Sequence, residues 1–157
     1  VVRAVRGLSH AATALRERRV AERQARAAER ELAPLGVEVR IEVEYADAAC
    51  PGSGLTLWTE GSRPPLGAAA LGARGLAAEE VGRRAARALR AEIEAGAAVD
   101  RHLADQVVPF LAVAGGRIRT SAITGHTRSN VYVAGTLLGA TFRVDEERGF
   151  VEAEPGR

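Results

Sequence analysis

Apolar and polar residues alternate without a break over residues 37–45, with Val37, Val39, Ile41, Val43 and Tyr45 on one side and Glu38, Arg40, Glu42 and Glu44 on the other. This period of two predicts a strand with one buried face and one wet face. The turn residues Pro51, Gly52, Ser53 and Gly54 follow, and residues 55–60 are expected to return as the second strand of a hairpin. Upstream, residues 1–6 read as a strand ended by Gly7, and residues 8–16 as a mixed loop. Residues 19–33 favour a helix, with Glu22 and Arg26 spaced to pair and Pro34 and Gly36 placed to stop it. Residues 61–71 read as a loop because Pro64 and Pro65 block regular structure. A second helix is predicted over residues 77–95. Val81, Ala85, Leu89 and Ile93 form its apolar stripe, Glu79 and Glu80 suit its positive start, and Gly96 ends it.

The pattern changes after Gly96. Residues 99–114 predict a far more apolar helix, closed by Gly115 and Gly116. Residues 117–123 read as a strand, Thr124 and Gly125 as a tight turn, and residues 127–138 as a helix starting next to His126. Residues 141–144 and 150–153 would form a hairpin around residues 147–149. A boundary near Ala97 divides the chain into a small α/β domain, 1–97, and a second domain, 98–157. The fold class is α/β (α+β).

Composition narrows the function classes. With 46% apolar and 27% charged residues the chain belongs with soluble globular proteins, not disordered ones. No run approaches the roughly 20 consecutive apolar residues of a membrane span, and the first residues lack the features of a signal peptide, so a cytoplasmic location is expected. All 22 basic residues counted as Lys or Arg are Arg, and the formal net charge is only +2. That balance does not predict nucleic-acid binding, although arginine permits bidentate contacts with phosphate. Cys50 stands alone, which excludes an intrachain disulfide and fits a reducing compartment. The absence of Met predicts a processed chain or a piece of a longer one.

Two segments could carry chemistry. On the helix predicted over 99–114, His102, Asp105, Gln106 and Pro109 fall on one narrow stripe of an otherwise apolar surface. Such a helix is normally buried, so the stripe must meet a ligand or protein partners. Pro109 has no N–H for the Asp105 carbonyl, which frees that acceptor on the same side. The second segment is Thr124, Gly125, His126, Thr127, Arg128, Ser129 and Asn130. A histidine at a strand-to-helix turn sits where backbone N–H groups converge on anions, and the positive helix end disfavours imidazolium. A neutral imidazole can attack phosphorus without a separate base, with the flanking hydroxyls and amides orienting the phosphate. The competing reading is a capping turn with an incidental histidine. No metal-ligand spacing is present.

In order and spacing, residues 99–106 (Val-Asp-Arg-His-Leu-Ala-Asp-Gln), a following Pro109, and the Thr-x-His-x-x-x-Asn of Thr124, His126 and Asn130 resemble the C-terminal signature of RNA 3'-terminal phosphate cyclases. Residues 19–23 are similar to that family's His-Val-Ala-Glu-Arg, residues 51–55 to its Gly-Pro-Gly-Thr-Gly turn, and residues 71–75 to its Leu-Gly-x-Arg-Gly. The resemblance implies a thioredoxin-like insert domain over 1–97, followed by part of the last βαβαββ repeat of the catalytic body over 98–157. The rest of the body would lie in a missing N-terminal part of the same protein. The activity implied is ATP-dependent conversion of an RNA 3'-phosphate to a 2',3'-cyclic phosphate, through AMP carried on His126. By the same resemblance His102, Leu103, Ala104, Asp105 and Gln106 line the ATP site, and a divalent metal, Mg or Mn, assists. The partners implied are ATP and RNA with a 3'-phosphate end, with no membrane. The alternative within the family is a cyclase-like ribosome-assembly factor, which keeps the fold without catalysis, and the presence of His126 argues against it.

Overall fold

A computed structural model describes residues 2–61 and 64–156, so Val1, at the head of the first predicted strand, lies outside the described residues. The chain divides into two compact units, Val1–Glu94 and Ala95–Arg157.

Unit 1 runs β1 (Ala4–Ala12), α1 (Val20–Leu32), β2 (Glu38–Ala46), β3 (Ser53–Glu60), β4 (Gly67–Leu71) and α2 (Ala78–Glu94). Its sheet has the order β2-β1-β3-β4, with β2 parallel to β1 and the other pairs antiparallel. The expected hairpin of residues 37–45 with 55–60 is therefore corrected, because β1 lies between its two strands. That arrangement also overturns the loop expected over residues 8–16. Gly7 does not end β1, and the polar Ser9 is tolerated in a central strand because its hydroxyl lies 2.8 Å from the Ala21 carbonyl and 3.0 Å from Gln24 Oε1. A Cβ on Gly7 would stand 2.6 Å from Leu57 Cδ2 and 2.9 Å from the Thr56 carbonyl oxygen, so the close approach of β3 needs a glycine there.

β2 is an edge strand, and its apolar side is only partly covered. Val39 and Ile41 pack on the core of Val5, Leu32, Leu55, Leu57 and Leu89, whereas Val43 is exposed. The loop expected over 61–71 contains β4 from Gly67 onward. The alanines of β4 carry little strand propensity of their own, and its pairing with β3 supplies the order.

Both predicted helices of unit 1 form. The expected Glu22–Arg26 pair does not, because the Glu22 carboxylate accepts from the Tyr45 hydroxyl at 2.6 Å and is held below the usual carboxylate range by that bond. The two helices touch closely: a Cβ on Gly82 would lie 2.2 Å from the Gln24 carbonyl oxygen. Glu79, expected to serve the start of α2, also reaches α1, where Arg23 Nε and Nη2 donate to its two oxygens at 2.7 and 2.8 Å. This fork brings the Glu79 carboxyl down to about 2 from 4.5. Because the folded-state value is the lower one, the pair stabilises fully above pH 4.5, and its contribution is lost as pH falls from there through about 2. Both side chains are 39% exposed, so the contribution is at most about 1 kcal/mol. Arg23→Gln should return the Glu79 carboxyl toward 4.5 in a carbon-detected NMR titration, and a value still near 2 would show that the arginine is not the cause.

Unit 2 runs α3 (Arg101–Ala114), β5 (Gly116–Arg119), α4 (Gly125–Leu138), β6 (Thr141–Asp145) and β7 (Phe150–Glu154). The three strands form an antiparallel sheet in the order β5-β7-β6, which includes the expected hairpin of β6 and β7. Val108, Leu111, Ala112, Ala134, Val151 and Ala153 make its core. The strand expected over 117–123 is shorter, since only Gly116–Arg119 pairs with β7. α3 is less buried than its composition implies. Phe110 is 72% exposed and Val113 69%, because within the unit one helix and one small sheet cover only part of its circumference.

Candidate active site

The start of α3 is set by Asp100, whose Oδ1 accepts from the amides of His102 and Leu103 at 3.0 and 2.8 Å. From there the five residues expected to line an ATP site divide. His102 and Gln106 stand exposed one turn apart, Leu103 is half-buried, and Ala104 is fully buried. Asp105 turns toward α4.

Thr124 is not a turn residue before a later helix, as expected, but the N-cap of α4, which begins at Gly125. Its Oγ1 accepts from the Thr127 amide, and Thr127 Oγ1 accepts from the Thr124 amide, each at 3.1 Å. Both hydroxyl hydrogens go to one acceptor, Oδ1 of Asp105, at 3.0 Å from Thr124 and 2.5 Å from Thr127. Asn130 Nδ2 then donates to the Asp105 carbonyl at 2.7 Å. This is the acceptor that Pro109 leaves open, and it is filled by the asparagine of the Thr-x-His-x-x-x-Asn pattern. Asp105, Thr124, Thr127 and Asn130 thus fasten the first turn of α4 to the middle of α3. A carboxylate at a helix start is also favoured by the helix dipole.

The flanking side chains expected to orient a phosphate have protein partners. Thr124 and Thr127 serve Asp105, Asn130 serves the Asp105 backbone, and the Ser129 hydroxyl donates to the Gly125 carbonyl at 3.0 Å. Arg128 forms a two-pronged pair with Glu146, both contacts at 2.8 Å, which sequence spacing could not reveal across 18 residues. His126 is left. It is exposed in the first turn of α4, between the cap Thr124 and the buried Thr127. The first amides of any helix have no partner within it, which leaves those of Gly125 and His126 as donors in the same turn as the imidazole. The arrangement presents an imidazole and backbone N–H donors together on a rigid mount. That is the equipment for attack on a phosphorus atom whose oxygens need donors. Among the described residues no three His, Cys, Asp or Glu side chains converge to hold a metal ion. None of the described helices is long and apolar enough to cross a membrane.

Comparison with known proteins defines the class. Residues 1–94 match the family described as the RNA 3'-terminal phosphate cyclase (RTC) insert domain. The chain belongs to the RNA 3'-terminal phosphate cyclase family. It is 43% identical over 153 residues to the RNA 3'-terminal phosphate cyclase of Pyrococcus abyssi, covering 98% of this chain and 43% of that protein. The similarly named protein of Pyrococcus furiosus is 45% identical over 140 residues, covering 89% of this chain and 40% of that protein. That of Methanothermobacter thermautotrophicus is 44% identical over 152 residues, covering 94% and 44%. The chain therefore spans about two fifths of the length of the curated relatives it matches.

Proposed function

We propose that the protein to which this chain contributes converts an RNA 3'-phosphate to a 2',3'-cyclic phosphate at the expense of ATP, with His126 as the AMP carrier. The observation that carries the reading is His126 itself, exposed in the first turn of a helix whose start is fixed by the Thr124–Thr127 capping box and Asp105. The names of the relatives support the substrate.

In the first step an imidazole nitrogen forms a bond to the α-phosphorus of ATP, and the bond from that phosphorus to the bridging oxygen breaks. Pyrophosphate leaves with the electron pair. The RNA 3'-phosphate then displaces the imidazole from the AMP phosphorus, and the nitrogen recovers its lone pair. Last, the neighbouring 2'-hydroxyl attacks the 3'-phosphorus, loses its proton, and expels AMP. His102 and Gln106, exposed on one side of α3, are assigned to the nucleotide, with Leu103 and Ala104 as the backbone between them. Asp105 acts through α4 by holding the turn that carries His126. A divalent metal would supply charge neutralisation at the phosphates. The described residues of this chain do not form a ligand set for it, so no step here runs through one.

Unit 2 is assigned to a larger catalytic body. Phe110, Val113, Tyr132 and Leu137 are each more than two thirds exposed, and so much large apolar surface on two helices marks a face that other protein covers. The longer protein, given ATP and RNA ending in a 3'-phosphate, should yield an end that phosphatase no longer removes, with AMP released. RNA that stays fully phosphatase-sensitive would rule the reading out.

A further inference from the structure

Unit 1 holds a cavity of about 680 Å³, and nothing in the proposed chemistry uses it. Three segments far apart in sequence meet at its wall: residues 18–23 at the start of α1, residues 51–53 at the start of β3, and residues 72–78 leading into α2. They overlap the three stretches of unit 1 that resemble family motifs, although His126 and its mount belong entirely to unit 2.

We propose that this cavity is a binding site for a phosphate group, held by Arg18, Arg74 and the Ser53 hydroxyl. Charge is the first argument. Arg23 also borders the cavity but is neutralised by its fork to Glu79. The Arg18 and Arg74 side chains are exposed and have no ion-pair partner among the described residues, so two guanidinium groups with free donors face one hollow. Arginine presents donors in a fork that matches the oxygens of a phosphate.

The second argument is a buried polar relay that ends at the same wall. Gln24 is fully buried, and its Nε2 donates to Ser53 Oγ at 2.8 Å. Its Oε1 faces the hydroxyl of Ser9, also fully buried, at 3.0 Å. Since Ser53 Oγ accepts from Gln24, its own hydrogen remains to donate, and Ser53 lines the cavity. Burying polar groups is costly unless they are paired, and here two buried residues orient one hydroxyl as a donor. Gly72 keeps the space clear, because a Cβ there would stand 2.2 Å from Ser53 Oγ. The starts of α1 and α2 border the same hollow, and their dipoles favour an anion. The volume is in the range of small-molecule sites, with room for a phosphate together with the sugar or second phosphate attached to it.

The test follows the arginine Nε–H resonances of Arg18 and Arg74 by NMR while the 157-residue chain is titrated at constant ionic strength. One arm adds inorganic pyrophosphate, and the other a short single-stranded oligoribonucleotide ending in a 3'-hydroxyl. Neither probe needs ATP or His126, so the outcome is separate from that of the adenylylation experiments. Saturable shifts of both resonances are expected, and the double variant Arg18→Gln, Arg74→Gln should weaken binding about tenfold or more. Ser53→Ala should weaken it less, with its thermal midpoint measured alongside to separate binding from folding. Saturation at lower oligonucleotide than pyrophosphate concentration assigns the phosphate to an RNA strand, and the reverse order assigns it to a small phosphorylated molecule. Shifts that do not saturate, or binding that the double arginine variant leaves unchanged, overturn the proposal.

Discussion

His126→Ala in the longer protein should abolish transfer of AMP from ATP to the polypeptide and lower cyclisation by at least about 10⁴-fold, the scale on which loss of a covalent nucleophile acts. Folding should survive the change. The side chain is exposed, and the capping box, the Asp105 contacts and the Asn130 bond all belong to other residues. Far-ultraviolet dichroism and the thermal midpoint should therefore match the parent. A variant that keeps AMP transfer would place the nucleophile elsewhere.

Asp105→Ala should act in the opposite manner, through stability first. Its Oδ1 is the acceptor for two threonine hydroxyls, one of which, on Thr127, belongs to a fully buried residue. Removing the carboxylate strands at least one donor, since the two hydroxyls, 3.0 Å apart, can pair only once with each other, at an expected cost of about 1–3 kcal/mol to unit 2. Asp105→Asn keeps an oxygen at the same place and should recover more than half of that loss. Amide exchange at Thr127 and Arg128 should quicken in the alanine variant and much less in the asparagine one, because their bonds to Thr124 close the first turn of α4. Equal exchange in both variants would show that the carboxylate does not hold the turn. AMP transfer should fall in step with that loosening, while Gln106→Ala, an exposed change on the same helix, should alter ATP dependence and leave exchange in α4 alone.

The sequence showed its elements more clearly than their pairing. Residues 37–45 announce a strand because the period of two is unbroken, and α2 is legible from Val81, Ala85 and Leu89 at helical spacing. Nothing local says that β1 will lie between β2 and β3. That placement depends on long-range pairing, and on burying Ser9 against Gln24, which reads from sequence as a loop signal. β4 escaped for a related reason, since a run of alanines has no alternation to detect.

At the candidate site, the open carbonyl opposite Pro109 was deducible from proline chemistry alone, and Asn130 fills it. The role of Thr127 was not. It falls at a variable position of the Thr-x-His-x-x-x-Asn pattern, and only the fold reveals that it completes a capping box and shares Asp105 with Thr124. A Thr-x-x-Thr spacing at a helix start was the available signal. The apolar composition of α3 predicted burial, and the exposed Phe110 and Val113 show how far unit 2 alone falls short of providing it.

The most direct test of the account is to incubate the longer protein with ATP, digest it, and locate the adenylylated peptide by mass spectrometry. A phosphoramidate is labile to acid and stable to alkali, so the adduct should survive basic handling and vanish at low pH. The account predicts one AMP per chain on the peptide that contains His126, with the added mass on that histidine. An adduct on any other residue, or none under conditions where RNA is cyclised, would contradict it.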